Sequence, residues 1–389
     1  MGFYKHLSAH PFQWKFLYHI SNTSPHLLLT DIHTKLTCER RIRKTIESYN
    51  PDIVISVHPT MQHVPLISTR KIAKKLGKII PFVTVVTDFG SGHCHWFHKQ
   101  VDKTYVASDR IRKLAKRRGR IPDEKLVKIG LPIRYDFAVQ AEAMKDRTSE
   151  RGKKYQAKIR RQLQISTEKK MVLVMGGGEG VGSLSSIVDS LYSQFVKKGI
   201  NATIVVVCGR NEKLVQDLEV RDWSKVVTDH QPKQSILKKT IGKLTSSPFR
   251  TQDSSINHLL SSNKGSVDVV GLGFVTNMAE YMVAADILVT KAGPGTIAEA
   301  AALGLPVMLT SYLPGQEAGN VDIVLDGGFG DFCANRYGIA EEVACWLKDA
   351  ALLEVMSRSA SAVGAPNAAS DIVLDIGKMA EESLKRNNE

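Results

Sequence analysis

Cysteine is thin in this chain and shows no pairing pattern. The five cysteines (Cys38, Cys94, Cys208, Cys333 and Cys345) are scattered and odd in number, and no CxxC occurs. That favours free thiols in a reducing compartment over a disulfide framework or a cysteine-based zinc site. Long apolar runs are also missing: nothing approaches the ~20 residues of a membrane span. The opening Met1-Gly2-Phe3-Tyr4-Lys5 has the character of neither a signal nor a transit peptide, and His6 stands where an N-myristoyl motif needs Ser or Thr. Acidic residues are scarce in the first half. Residues 1–165 carry 13 Asp and Glu against 32 Lys and Arg, a net of +19, whereas the remainder carries 26 against 21. Aromatics, 7% of the chain, are too sparse among these cations for a base-stacking platform, and no nucleic-acid motif occurs. A half-molecule this positive sets up a strong field. Its expected partner is an anionic membrane surface, not nucleic acid.

The 389 residues suffice for two domains. Apolar periodicity gives two successive strand–helix series. The first has strands at 52–57, 79–87, 102–107 and 126–129, a helix at 63–76, and a second helix from Ser108 or Asp109 to about Arg118, stopped by Gly119. The second has strands at 170–175, 203–207, 267–270, 287–289 and 306–309. The expected fold class is α/β, with two Rossmann-like domains and a cleft between them. The expected divisions are a first domain at 1–137, a basic linker with some helix at 138–169, a second domain at 170–355 and an Ala-rich helical tail at 356–389. Residues 228–264, rich in Ser, Thr, Lys and Gln without periodicity, read as an inserted, disordered surface loop.

The most informative stretch runs from Ile287 to Ala300. An apolar strand meets a turn at Gly293, Pro294 and Gly295, and Thr296 opens a helical pattern. Strand, glycine turn and helix N-terminus present backbone N–H groups and a positive dipole end to a phosphate. Glu299, one turn into the helix, is placed to bind a sugar diol. After the next strand, Gln316, Glu317 and Asn320 gather polar side chains at a strand end, where α/β sheets bind ligands. A nucleotide-sugar pocket follows, with Gln316 and Glu317 on hydroxyls; a plain connector is the alternative. The glycines at 176–182, with Gly178 and Glu179, also sit between strand and helix. They fail the G-x-G-x-x-G spacing, and no acidic residue ends the next strand, so NAD binding is not expected. A phosphate or sugar contact remains open there.

Several ordered motifs carry a family resemblance: Pro51 to Pro59, Met61 to Leu66, Trp96 to Lys99, Gly130 to Arg134, Met175 to Gly180, Cys208 to Asn211, Thr290 to Glu299 and Gly315 to Val321. On these the chain resembles the monogalactosyldiacylglycerol synthases of plastids, within glycosyltransferase family 28. The resemblance implies a GT-B fold and inverting transfer of galactose from UDP-galactose to diacylglycerol. It also implies a peripheral location at the plastid envelope and no cofactor or metal for the chemistry. It puts uracil near Phe274 and Val275, diphosphate at Gly293, Pro294, Gly295 and Thr296, ribose at Glu299 and sugar at Gln316 and Glu317. The family's first strand and its histidine-bearing glycine loop have no counterpart before Pro11, so the first domain is expected to be incomplete. His93 is then a candidate base, in a His93–His98 segment where Cys94 replaces the family's proline. His58, Trp96 and Phe97 are candidate acceptor contacts, with packing as the alternative for the aromatics. Leu27, Leu28 and Leu29 resemble an acceptor-side loop that dips into the bilayer, with phosphatidylglycerol and phosphatidic acid as the expected anionic lipids. Diacylglycerol glucosyl transfer, or an inactive lipid- and nucleotide-binding remnant, are the rival readings.

Overall fold

The computed structural model describes residues 11–176, 183–229 and 265–389. Among the described residues ten strands follow one another: β1 (Val54–Ser56), β2 (Phe82–Val85), β3 (Lys103–Val106), β4 (Leu126–Lys128), β5 (Lys170–Met175), β6 (Ala202–Val207), β7 (Val267–Leu272), β8 (Ile287–Thr290), β9 (Val307–Leu309) and β10 (Gly330–Phe332). The chain divides into two compact units. One holds the residues up to Tyr155 with Lys291–Phe332 and Val355–Glu389; the other holds Gln156–Thr290 and Cys333–Glu354.

In the first unit β1 to β4 form a parallel sheet in chain order, with Val54 opposite Phe82, Val83 opposite Lys103 and Thr104 opposite Leu126. All four residues of β2 are buried, as the unbroken Phe-Val-Thr-Val run requires of a parallel strand covered on both faces. Leu66, Phe82, Trp96, Phe97, Val106 and Ile111 form one core. Val83, Val85 and Tyr105 pack against Ile372 and Ile376 of the helix Ala368–Asn388. Asp375 anchors that helix by accepting from the Tyr105 hydroxyl at 2.6 Å and from Lys103 Nζ at 2.9 Å. β9 and β10 pair parallel, Val307 opposite Gly330.

Two sequence expectations change here. Ser108 caps the helix Asp109–Gly119, its Oγ accepting from Ile111 N at 3.3 Å, but Gly119 is not the stop. Arg120 takes the left-handed conformation instead, at φ 50°. Gly119 is small for a different reason: a Cβ there would lie 2.4 Å from Phe97 Cβ. The acceptor-side loop expected at Leu27, Leu28 and Leu29 is helical. Three helices, Pro11–Ser21, Ser24–Thr37 and Glu39–Ser48, precede β1. Thr23 is extended and proline stands in the first turn of Ser24–Thr37, where its missing N–H costs nothing. Leu28 and Leu29 stand 61% and 67% exposed on that helix, and Leu27 is half-buried.

In the second unit the parallel order is β8-β5-β6-β7, with Val172 opposite Ile287, Lys170 opposite Ala202, and Ala202 opposite Val267. Arg160, 5% exposed, is pinned below these strands. Its guanidinium meets Asp286 Oδ2 at 2.8 Å and donates to the carbonyls of Ala284 and Lys169. Asp286 also accepts from Met171 N at 2.7 Å, which ties the start of β5 to the pair. Gly178 and Glu179 lie outside the described residues. So does the loop expected at 228–264, except for its first two positions, which end the helix Trp223–Asp229.

Candidate active site

The glycine turn lies in the first unit, directly after β8 in the chain. The helix Pro294–Ala302 starts two residues before the expected Thr296, with Gly293 as its extended N-cap and Pro294 in the first position. Ile297 N bonds Gly293 O at 3.1 Å. The amides of Gly295 and Thr296 stand where a helix has no carbonyl to offer them. A Cβ built on Gly295 meets nothing within 4 Å, so the turn is unobstructed on that side. Lys291 lies beside the turn, its Cε 3.8 Å from where a Gly293 Cβ would stand.

The polar cluster downstream holds this turn in place. Glu317 is buried, accepting from Lys291 Nζ at 3.0 Å and from Leu313 N at 2.8 Å. Asn320 bridges two loops: Oδ1 accepts from Gly90 N at 2.8 Å and Nδ2 donates to Ala292 O at 2.9 Å. The backbones touch there, since a Cβ on Gly90 would lie 1.9 Å from Gly319 O. Both oxygens of Glu299 meet Arg134, at 2.8 Å from Nε and 3.0 Å from Nη2. Glu299 is 8% exposed.

Gln316 faces elsewhere, into a cavity of about 880 Å³ within the same unit. Trp14, Leu17, Ile20 and Met61 give its wall an apolar stretch, and His58, Asp88, His93 and His95 give it chemistry. His93 follows β2 on the loop held by Asn320. Its Nε2 lies 3.1 Å from Ser21 Oγ and its Nδ1 lies 2.9 Å from His95 Nδ1. The rings of His93 and His95 are parallel, centroids 4.7 Å apart, and Tyr18 meets His93 edge-on. Trp96 is buried in the wall, its indole N–H donating to Asp88 Oδ2 at 2.7 Å.

Burial sets the charges. It drives the His93 ring down to about 4, with His95 adding repulsion. It pushes Asp88 up to about 6, against hydrogen bonds from Trp96 and the His93 backbone. Tyr18 rises to about 12 by burial and then by the Asp88 charge. At neutral pH the wall therefore presents an uncharged imidazole next to an ionised carboxylate that is more basic than usual. Such a carboxylate is suited to accept a proton from a bound hydroxyl.

The expected residues thus fall into groups. Gly293, Pro294, Gly295 and Thr296 build the turn, and Asn320 ties it to the His93 loop. Gln316, His58, His93 and Trp96 line the cavity. His58 also caps a short turn by accepting from Thr60 N. Phe97 packs in the core against Gly92 and Gly119. In the second unit Phe274 is exposed and Val275 half-buried, just after β7. Tyr18, Asp88, Arg134 and Lys291 were not singled out from sequence. Asp88 and Lys291 each follow a strand, a position that could have flagged them.

The two parallel α/β sheets and the glycine turn before a helix define a GT-B fold. MurG of Acinetobacter baumannii is a structural neighbour, with a TM-score of 0.56 at 14% identity over 89% of this chain and 80% of that one. The sequence model of the monogalactosyldiacylglycerol (MGDG) synthase family matches residues 1–133, and that of the glycosyltransferase family 28 C-terminal domain matches residues 248–319. Monogalactosyldiacylglycerol synthase 1, chloroplastic, of Arabidopsis thaliana is 33% identical over 97% of this chain and 61% of its own length. Monogalactosyldiacylglycerol synthase 2, chloroplastic, of the same plant is 33% identical over 97% of this chain and 70% of its own. The chain belongs to the monogalactosyldiacylglycerol synthase family. It spans about three fifths of the length of the first of these relatives.

Proposed function

We propose that this chain transfers galactose from UDP-galactose to the free hydroxyl of diacylglycerol, with inversion at the anomeric carbon, at the plastid envelope surface. The observation that carries the reading is that one unit holds both an apolar cavity ending in Asp88 and a glycine turn flanked by Lys291, and that Asn320 joins them. The diphosphate takes the amides of Gly295 and Thr296, and Lys291 adds a cation. Glu299, held by Arg134, takes the ribose. Gln316 takes sugar hydroxyls, while Glu317 shapes the loop. The acyl chains lie along Trp14, Leu17 and Met61.

Asp88 accepts the hydroxyl proton as the lipid oxygen attacks the anomeric carbon and the bond to the UDP oxygen breaks. His93, whose two ring nitrogens are engaged by Ser21 and His95, shapes the wall beside the acceptor. The helix amides and Lys291 meet the charge gathering on UDP, so this step is assigned no metal. Phe16, Ile20, Leu28, Leu29, Ile32 and Leu36 are exposed on the first two helices, beside a strongly basic half-chain. They suit peripheral insertion into a bilayer containing phosphatidylglycerol or phosphatidic acid. No helix among the described residues is long and apolar enough to cross one.

The test is transfer of radiolabel from UDP-galactose, and in parallel from UDP-glucose, to diacylglycerol in phosphatidylglycerol vesicles. A labelled β-galactolipid is the expected product. Preferred use of UDP-glucose overturns the donor assignment, and no transfer by folded, UDP-binding protein overturns the reaction.

A further inference from the structure

We propose that His93, Cys94 and His95 form a binding site for a divalent transition-metal cation of the zinc class, set in the cavity wall. One ligand atom from each residue lies within 4.8 Å of the others. The two imidazole Nδ1 atoms are 2.9 Å apart, and Cys94 Sγ is 3.9 Å from His93 Nδ1. A tetrahedral zinc ion, with bonds of about 2.0 Å to nitrogen and about 2.3 Å to sulfur, has N···N edges of about 3.3 Å and N···S edges of about 3.6 Å. The two edges at His93 Nδ1 lie within a few tenths of an ångström of these values, and side-chain rotation closes the third, between Cys94 and His95, from within 4.8 Å. Nitrogen and thiolate donors select zinc, cobalt or a similar ion and not magnesium or calcium.

The hydrogen bonds prepare the ligands. Ser21 Oγ donates its proton to Tyr18 O at 3.0 Å, so it accepts from His93 Nε2–H at 3.1 Å. That fixes the tautomer in which His93 Nδ1 carries the free lone pair, the usual outer support of a metal-bound histidine. Both the backbone N–H and the Nδ1 of His95 crowd onto this lone pair. His95 Nε2 is meanwhile buried without a hydrogen-bond partner among the described residues, so the protein alone does not close the network. A cation at the shared point replaces the proton between the two Nδ1 atoms, and His95 carries that proton on Nε2. Burial holds the Cys94 thiol above its usual value against the nearby Arg118 guanidinium, so the thiol proton leaves only when the cation takes its place. Binding therefore releases about one proton per cation. His93 and His95 both line the cavity, so the remaining coordination position opens to whatever fills it. The site stands whether or not that occupant is a lipid.

The test uses the full chain, stripped by chelator and titrated with Co²⁺. One equivalent binds, with a thiolate-to-cobalt charge-transfer band in the near ultraviolet, and Zn²⁺ displaces it. Cys94→Ser removes the band, and His95→Gln weakens affinity by about 10–100-fold. Replacing Cys38, Cys333 and Cys345 with serine changes neither. Without any substitution, Zn²⁺ slows alkylation of Cys94 at least tenfold and releases about one proton per ion at pH 7.5. A band that survives Cys94→Ser, or a Cys94 alkylated equally fast with and without Zn²⁺, overturns the proposal.

Discussion

Asn320→Ala removes a side chain that joins the His93 loop to the glycine turn. Asn320 is 2% exposed and spends its amide on Gly90 N and Ala292 O. Alanine leaves both buried backbone groups without the amide partner. A buried polar group stripped of its partner costs about 1–3 kcal/mol, so the pair costs about 2–6 kcal/mol. Denaturant titration should show a loss of that size, and UDP affinity should fall because the turn loosens. Asn320→Asp sharpens the test. Its carboxylate still accepts from Gly90 N but opposes the Ala292 carbonyl, which raises its pKa in the folded state. A raised carboxylate pKa means that the folded form holds a proton the unfolded form has lost. The aspartate variant should therefore lose stability as pH rises through the unfolded value of about 3.9, and regain it on acidification, when its O–H donates to Ala292. A loss below about 0.5 kcal/mol for Asn320→Ala, with unchanged UDP affinity, refutes the reasoning.

Arg160→Met leaves Asp286 buried and uncompensated below β5, and should cost about 3–5 kcal/mol in equilibrium unfolding. His98 is driven down to about 4 by burial, then by His63, so its folded pKa lies below the unfolded value. The stability of the neutral ring is present above pH ~6.5 and is lost as pH falls toward about 4, because the unfolded chain takes up the proton first. His98→Gln should flatten this loss by about 1 kcal/mol, allowing for solvent screening at a half-buried ring, as read from unfolding at pH 7.5 and pH 4.5. Leu28→Glu with Leu29→Glu should lower partition onto phosphatidylglycerol vesicles at least tenfold in co-sedimentation, with the fold unchanged by circular dichroism.

The strands were legible because parallel strands buried on both faces read as plain apolar runs, as at 170–175 and 203–207. The glycine turn was legible because its chemistry is local. The three opening helices were not read: Ser24–Thr37 mixes leucines with histidines and threonines, and its exposed apolar face blurs the helical period. Gly119 looked like a helix stop, yet it answers to Phe97, a contact that no local pattern contains. Arg134 became a site candidate only through Glu299, a partner far along the chain that sequence spacing does not record, and Asp88 owes its raised pKa to burial. Glu317 and Asn320 were legible as a polar cluster, but their bonds to Lys291, Gly90 and Ala292 show how that cluster is used.

The seat of the lipid acceptor is tested most directly by cross-linking. A photoreactive diacylglycerol in vesicles, activated in the presence of UDP and mapped by mass spectrometry, should label Trp14, Leu17 and Met61 in the cavity wall. Excess diacylglycerol should abolish the labelling. Labelling confined to residues outside the cavity, or labelling that excess diacylglycerol does not suppress, would contradict an acceptor bound against Asp88.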